Sequence, residues 1–191
     1  ITPLRPDSWM FHYPNTHMTK FFAEAVGIPL ITAETSGLKE KELGDLKRAL
    51  SKLDIEGVVS GAVASKYQKE RIDRICKELK LKSITPLWGR NQLNILKEVV
   101  NLGFEAVIVG VYAYGFNEKW LGRKIDKKTI EELLELNAKY GISLVGEGGE
   151  YESLVLDAPY FKKRMRILET EKIWEGESGF LLVKKAELIP K

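Results

Sequence analysis

The stretch Gly57-Val58-Val59-Ser60-Gly61-Ala62-Val63-Ala64-Ser65-Lys66 decides the fold class. Val58 and Val59 read as the centre of a short strand. Ile72, Ile75, Cys76 and Leu79 then recur at helical spacing and predict a helix over residues 66–81. Between the two lies a turn of small residues. A strand, a small-residue turn and an amphipathic helix make half of a βαβ unit.

The same alternation extends in both directions. Met18, Phe21, Phe22 and Ala25 predict a helix over 16–26, ended by Gly27, and the apolar run 28–33 predicts a buried strand opened by Pro29. Leu43, Leu46, Leu50 and Leu53 mark a helix over 39–53. A strand at 82–85, a helix at 91–102 and the most hydrophobic strand, 104–111, follow. Alternation of this kind predicts a parallel sheet with helices on its faces. Its ligand-binding edge would gather the loops 61–66, 86–91 and 112–122. After residue 111 the pattern changes. Asp126 caps a predicted helix that Gly141 ends, and the segments 142–145, 151–156, 164–169, 172–174 and 180–188 are all strand-like. We therefore divide the chain into an α/β domain over 1–111 and a smaller α+β domain over 112–191.

Composition bounds the function. With 191 residues, 44% hydrophobic and 30% charged, the chain is an ordinary globular protein of one large or two small domains. No apolar run approaches the roughly 18 residues of a membrane span, and the start lacks the order of a secretory signal. Neither a membrane nor DNA is expected as a partner, since the net charge of +3 is spread among acids. Cys76 is the one cysteine, which excludes a disulfide framework and fits a cytoplasmic setting. His12 and His17 lack a metal-ligand spacing. The chain opens Ile1-Thr2-Pro3 as if at the end of a strand, and further residues upstream are expected to belong to the fold.

The second informative stretch is Gly146-Glu147-Gly148-Gly149-Glu150-Tyr151-Glu152. Its glycines permit positive φ and close approach, while three carboxylates within six residues would repel a phosphate. The turn suits a cation, a metal-bound group or a hydrogen-bond donor; a solvated acidic hairpin is the plain alternative. The turn 60–65 opens a helix, where an anion is favoured, but no dinucleotide or Walker signature occurs. Tyr67, Gln68 and Arg71 extend from it, and Arg71 is either a phosphate clamp or a solvated helix residue. Trp88-Gly89-Arg90 offers a stacking plane and a fork of donors. Tyr112, Tyr114 and Trp120, around Gly115 and Gly122, either pack a domain junction or face a quaternary ammonium group.

Taken in order, several segments resemble the diphthine–ammonia ligases, a branch of the adenine-nucleotide α-hydrolase-like ATP pyrophosphatases. They are Ser8-Trp9-Met10-Phe11-His12, Lys41-Glu42-Leu43-Gly44-Asp45-Leu46, Gly61-Ala62 with Ser65, Tyr67, Gln68 and Arg71, Pro86-Leu87-Trp88 with Arg90, Trp120-Leu121-Gly122, and the acidic turn through Leu156-Asp157 and Pro159. The resemblance implies a Rossmann-like (HUP-type) sheet. It also implies a reaction in which ATP, with Mg2+, adenylates the carboxylate of diphthine on translation elongation factor 2. Ammonium then supplies the nitrogen of diphthamide, and AMP and pyrophosphate leave. On this resemblance Met10, His12, Gly61, Ala62, Ser65, Tyr67 and Arg71 bind the nucleotide, and Glu147 and Glu150 carry the acceptor-side chemistry. Trp88, Arg90, Tyr112, Gly122, Gly148, Gly149 and Glu152 contact the substrate.

One departure is plain: the family's phosphate loop, Ser-Gly-Gly-Lys-Asp-Ser, does not occur in these residues. Two alternatives stay open, a non-catalytic nucleotide-binding regulatory module and a related enzyme acting on another carboxylate or a tRNA base. Oligomeric state is open as well, a homo-oligomer included.

Overall fold

The computed structural model describes residues 1–4, 11, 14–38 and 41–191. In chain order the elements are β1 (Thr2–Pro3), α1 (Thr19–Val26), β2 (Glu34–Thr35), α2 (Lys41–Leu50), β3 (Gly57–Val59), α3 (Lys66–Glu78) and β4 (Lys82–Ile84). They continue with α4 (Gln92–Asn101), β5 (Glu105–Val111), α5 (Lys127–Tyr140), β6 (Tyr151–Asp157), β7 (Lys163–Glu175) and β8 (Ser178–Pro190). The result is a mixed α/β protein with two compact units, residues 1–16 with 31–90 and residues 17–30 with 91–191.

The first unit holds two parallel strand pairs, β1–β2 and β3–β4. Parallel pairing is what the strand–turn–helix pattern predicts. Its helices start and bury as their sequences dictate. The Ser65 hydroxyl accepts the Gln68 N–H at 3.4 Å and caps α3, whose Ile75 and Cys76 are buried. Cys76 is inert packing, and loss of hydration pushes its thiol pKa up. The strands themselves are poorly covered: Val59 is 67% exposed and Ile84 45%. Parallel strands are ordinarily buried on both faces.

The second unit is built on a four-stranded antiparallel sheet of order β6-β5-β8-β7. Here the structure corrects the expected strands. The hydrophobic run 104–111 is not part of a parallel sheet; β5 pairs antiparallel with β6 and β8, buried between them. Burial on two sides makes a continuous apolar run in either kind of sheet, so the run could not reveal its direction. Residues 28–33 are not a strand, and Ile28, Leu30 and Ile31 are exposed where the chain passes between units. Residues 142–145 are a turn rather than a strand, and segments 164–169 and 172–174 merge into the single strand β7 across a register shift.

A large core packs α4 and α5 on this sheet around Leu96, Ile108, Val111, Leu133 and Leu181, with Leu133 and Val111 wholly buried. A second cluster seats α1 through Ala25, and Met18 just before it, against Phe161, Met165 and Val183. Asp126 accepts the Thr129 N–H at 2.8 Å to start α5, and Gly141, at φ 72°, ends it. No helix among the described residues is long and apolar enough to cross a membrane.

Candidate functional site

In the second unit the acidic turn is held by its own chain rather than left to solvent. Glu150 Oε1 accepts the Ser143 N–H at 2.8 Å and Oε2 accepts the Gly148 N–H at 2.8 Å. Both carboxylate oxygens therefore bind backbone donors of the turn, bonds stronger than neutral ones because the acceptor is charged. The Ser143 hydroxyl oxygen accepts the Glu147 N–H at 3.1 Å, and the Gly149 N–H donates to the Gly146 carbonyl at 3.0 Å. Tyr151, 5% exposed, donates its hydroxyl to the Leu144 carbonyl at 2.7 Å, and burial, then the nearby Glu150 charge, pushes its pKa up. Gly146 sits at φ 71°, and a Cβ there would lie 2.5 Å from the Tyr151 carbonyl oxygen. Glycine is required at this position.

The turn is stitched to the end of β5. The Tyr112 N–H donates to the Glu150 carbonyl at 2.9 Å, and the Tyr112 hydroxyl donates to Glu152 Oε2 at 3.3 Å. Loss of hydration, then the Glu152 charge, holds the phenol above its ordinary pKa, so it stays a donor. Gly110 makes this reach feasible: a Cβ there would meet the Tyr112 hydroxyl at 2.6 Å. Sequence reading missed Gly110, whose signal was a single glycine inside an otherwise apolar strand. Tyr114 packs edge-on against Tyr140 with centroids 5.1 Å apart and remains 66% exposed.

Other expected residues have different surroundings. Gly122 donates its N–H to the Ile108 carbonyl at 2.8 Å and adopts φ 86° beside β5. Trp120 and Leu121 before it are buried, with the Arg123 guanidinium 4.4 Å over the Trp120 ring. Asp157 accepts the Ala158 N–H and pairs with Lys191 at 2.8 Å, closing the end of β6.

In the first unit the turns after β3 and β4 meet. The Ser60 N–H donates to the Ile84 carbonyl at 2.9 Å, and the Gly89 N–H to the Val63 carbonyl at 2.8 Å. Gly61, Ala62, Ser65, Tyr67, Arg71, Trp88 and Arg90 thus share one end of a parallel pair, the end at which α/β sheets bind ligands. Trp88 and Arg90 stand here with the residues expected to bind nucleotide. The Arg71 guanidinium stacks 3.5 Å from the Tyr67 ring centroid and donates to the Tyr67 carbonyl at 3.2 Å. The Ser60 hydroxyl is buried and has no partner among the described residues. Gly61 has ordinary backbone angles and nothing within 4 Å of a Cβ, so the fold alone does not explain glycine there. Open space at Gly61, in the turn that leads into the N-terminus of α3, leaves room for a ligand, and a helix N-terminus favours an anion.

Met10 and His12 lie outside the described residues. A cleft of about 510 Å³, missed in the sequence, opens beyond β1 and β2 between Thr35, Ser36, Lys41, Asp45 and Arg48. There the buried Thr35 hydroxyl donates to Asp45 at 2.5 Å, and Arg48 pairs with the same carboxylate. Among the described residues no group of three or more His, Cys, Asp or Glu is arranged to hold a metal ion.

The division into two units is matched by two family models, one for each part of the chain. The diphthamide synthase N-terminal domain model matches residues 1–83 and the C-terminal domain model residues 91–189. The chain is 35% identical to a Bos taurus protein named diphthine–ammonia ligase over 190 residues, 91% of this chain and 71% of that protein. It is 34% identical to the Homo sapiens protein of the same name, with the same coverage. A Schizosaccharomyces pombe protein so named is also 34% identical, over 93% of this chain and 32% of its own length. The chain belongs to the diphthine–ammonia ligase family.

Proposed function

We propose that this protein is a carbon–nitrogen ligase that converts diphthine on translation elongation factor 2 to diphthamide, using ATP and ammonia. The observation that carries this reading is the family match to both domains, in order along the chain. A diphthine carboxylate oxygen attacks the α-phosphorus of ATP and pyrophosphate leaves. Ammonia attacks the resulting acyl carbon, gives up a proton, and AMP departs with the bonding pair. The N-terminal part handles the nucleotide, through Gly61, Ala62, Ser65, Tyr67 and Arg71 together with Met10 and His12. The open space at Gly61 supports that assignment. Mg2+ bound with the nucleotide would neutralise phosphate charge, and it would draw its ligands chiefly from phosphate and water, since no acidic cluster among the described residues is arranged to hold it.

The C-terminal part handles the acceptor. Glu147 takes the proton of the incoming ammonium, while Glu152 and Tyr112 face the trimethylammonium group of diphthine. Glu150 acts through the turn it holds, which its two backbone bonds support. The parallel pairs β1–β2 and β3–β4 belong to one Rossmann-like (HUP-type) sheet; their parallel direction, with a helix between the strands of each pair, supports this. The setting is the cytoplasm, where elongation factor 2 works.

The test is to incubate the full-length protein with ATP, ammonium and diphthine-bearing elongation factor 2. AMP should appear, with the small mass loss of an acid becoming an amide on the factor; ADP instead of AMP, or an unchanged factor, overturns the reading. A second experiment addresses the nucleotide turn. Gly61→Val should leave the melting temperature near wild type, because open space surrounds the new side chain. It should weaken ATP binding about tenfold or more in a calorimetric titration, by filling the ligand's approach. Unchanged affinity removes Gly61 from the site.

A further inference from the structure

The acidic turn is tied at its base to a residue that no motif reading singled out. Gln92 is the first residue of α4, a helix fixed by the Asn91 side chain, which accepts the Asn94 N–H at 3.0 Å, and by buried Leu96. Gln92 Oε1 accepts the Leu144 N–H at 2.8 Å and the Ser143 hydroxyl proton at 3.2 Å. A backbone N–H is a donor only, so the Leu144 bond settles which end of the Gln92 amide faces the turn. The Ser143 hydroxyl has one proton. With that proton given to Gln92, its oxygen is aimed to accept the Glu147 N–H at 3.1 Å.

The chain of bonds therefore runs in one direction, from the Glu147 N–H to Ser143 Oγ and from the Ser143 hydroxyl to Gln92 Oε1. It joins a rigid helix end to the backbone of the carboxylate expected to meet ammonium. Glu150 holds the same turn from the other side through the Ser143 and Gly148 N–H groups. A turn with three glycines in four positions has little intrinsic preference for one shape. Fixed partners at both ends are what make a side chain on such a turn well aimed.

We propose that Gln92 is a positioning residue for the acceptor half of the reaction, acting through Ser143 to hold Glu147 in place. The inference rests on the ligase reading above, with Glu147 as the group that meets ammonium. Removing the acceptor, as in Gln92→Leu, frees the Ser143 hydroxyl to rotate and costs Glu147 its anchor. The bonds from Gln92, Ser143 and Glu150 described above all lie within the second unit.

The experiment measures kcat and KM separately for ATP and for the diphthine-bearing factor, in full-length wild type, Gln92→Leu, Ser143→Ala, Ser143→Thr and the Gln92→Leu/Ser143→Ala double variant. Gln92→Leu should lower kcat about ten- to a hundredfold, as misplacement of a reacting group does, and leave KM for ATP unchanged. Ser143→Ala should match it, Ser143→Thr should recover most of the rate, and the double variant should be no worse than the poorer single one. A Gln92→Leu protein with wild-type kcat, or losses that multiply in the double variant, overturns the positioning role alone. Should Gln92→Leu fail to fold, the contrast between Ser143→Ala and Ser143→Thr decides, equal rates overturning the proposal. A wild type that amidates nothing overturns the ligase reading, and the positioning role with it.

Discussion

Glu147→Gln should abolish amidation while leaving both the fold and ATP binding intact. The Glu147 backbone is anchored by its N–H on Ser143, a bond that the substitution leaves untouched. What is lost is the negative charge and the basic oxygen, and a positioned base typically contributes about 10²–10⁴-fold. We expect kcat to fall by at least the lower end of that range, with the ATP titration and melting temperature unchanged. Glu150→Gln makes the informative contrast. Its two oxygens accept two backbone N–H groups, and an amide can satisfy only one of them while turning a donor toward the other. That variant should lose about 1–3 kcal/mol of stability as well as activity. If Glu147→Gln retains wild-type turnover, the acidic turn is not the acceptor site.

Gly146→Ala should be the most damaging single-methyl change in the turn. The position needs φ 71°, and the added carbon would lie 2.5 Å from a backbone oxygen that cannot rotate away. The left-handed conformation alone costs a non-glycine residue about 1–2 kcal/mol, and the clash adds to it. Relief would require the turn to separate from Tyr151, carrying Glu147 with it, so stability and amidation should fall together. Gly149 provides the control. It shares the conformation, at φ 81°, but has nothing within 4 Å of a Cβ. Gly149→Ala should pay only the conformational part, visible as a smaller fall in the denaturation midpoint. Equal effects from the two substitutions would show that the contact with Tyr151 is unimportant.

The helices were legible because their signals are local. Asp126 and Gly141 bound α5 as their side-chain chemistry predicts, and Ser65 caps α3. The parallel pairing of β3 with β4 followed from the helix between them. Strand partners of β5 were not legible, because pairing is decided by segments about 40 to 70 residues away in sequence, and burial on both faces erases the alternation that would orient a strand. The run 28–33 misled for a related reason: apolar composition marks what can be buried, and those residues are exposed as a connection.

Within the site the division is similar. Composition marked Glu147, Glu150 and Glu152 as one acidic, glycine-rich turn, and the order of motifs indicated the family to which the chain belongs. Composition could not tell the carboxylates apart, since the three share one chemistry, and the resemblance set Glu152 aside from Glu147 and Glu150 without separating those two. Their partners separate them: Glu150 lies on backbone donors at Ser143 and Gly148, and Glu152 on the Tyr112 hydroxyl. Gln92 carried no signal at all, because its partners Ser143 and Leu144 lie about 50 residues downstream. By itself the sequence determined which chemistry the turn contains, through residue types a few positions apart. Only the tertiary structure decided which carboxylate holds the loop, because hydrogen bonds form between groups brought together by packing, whatever their separation along the chain.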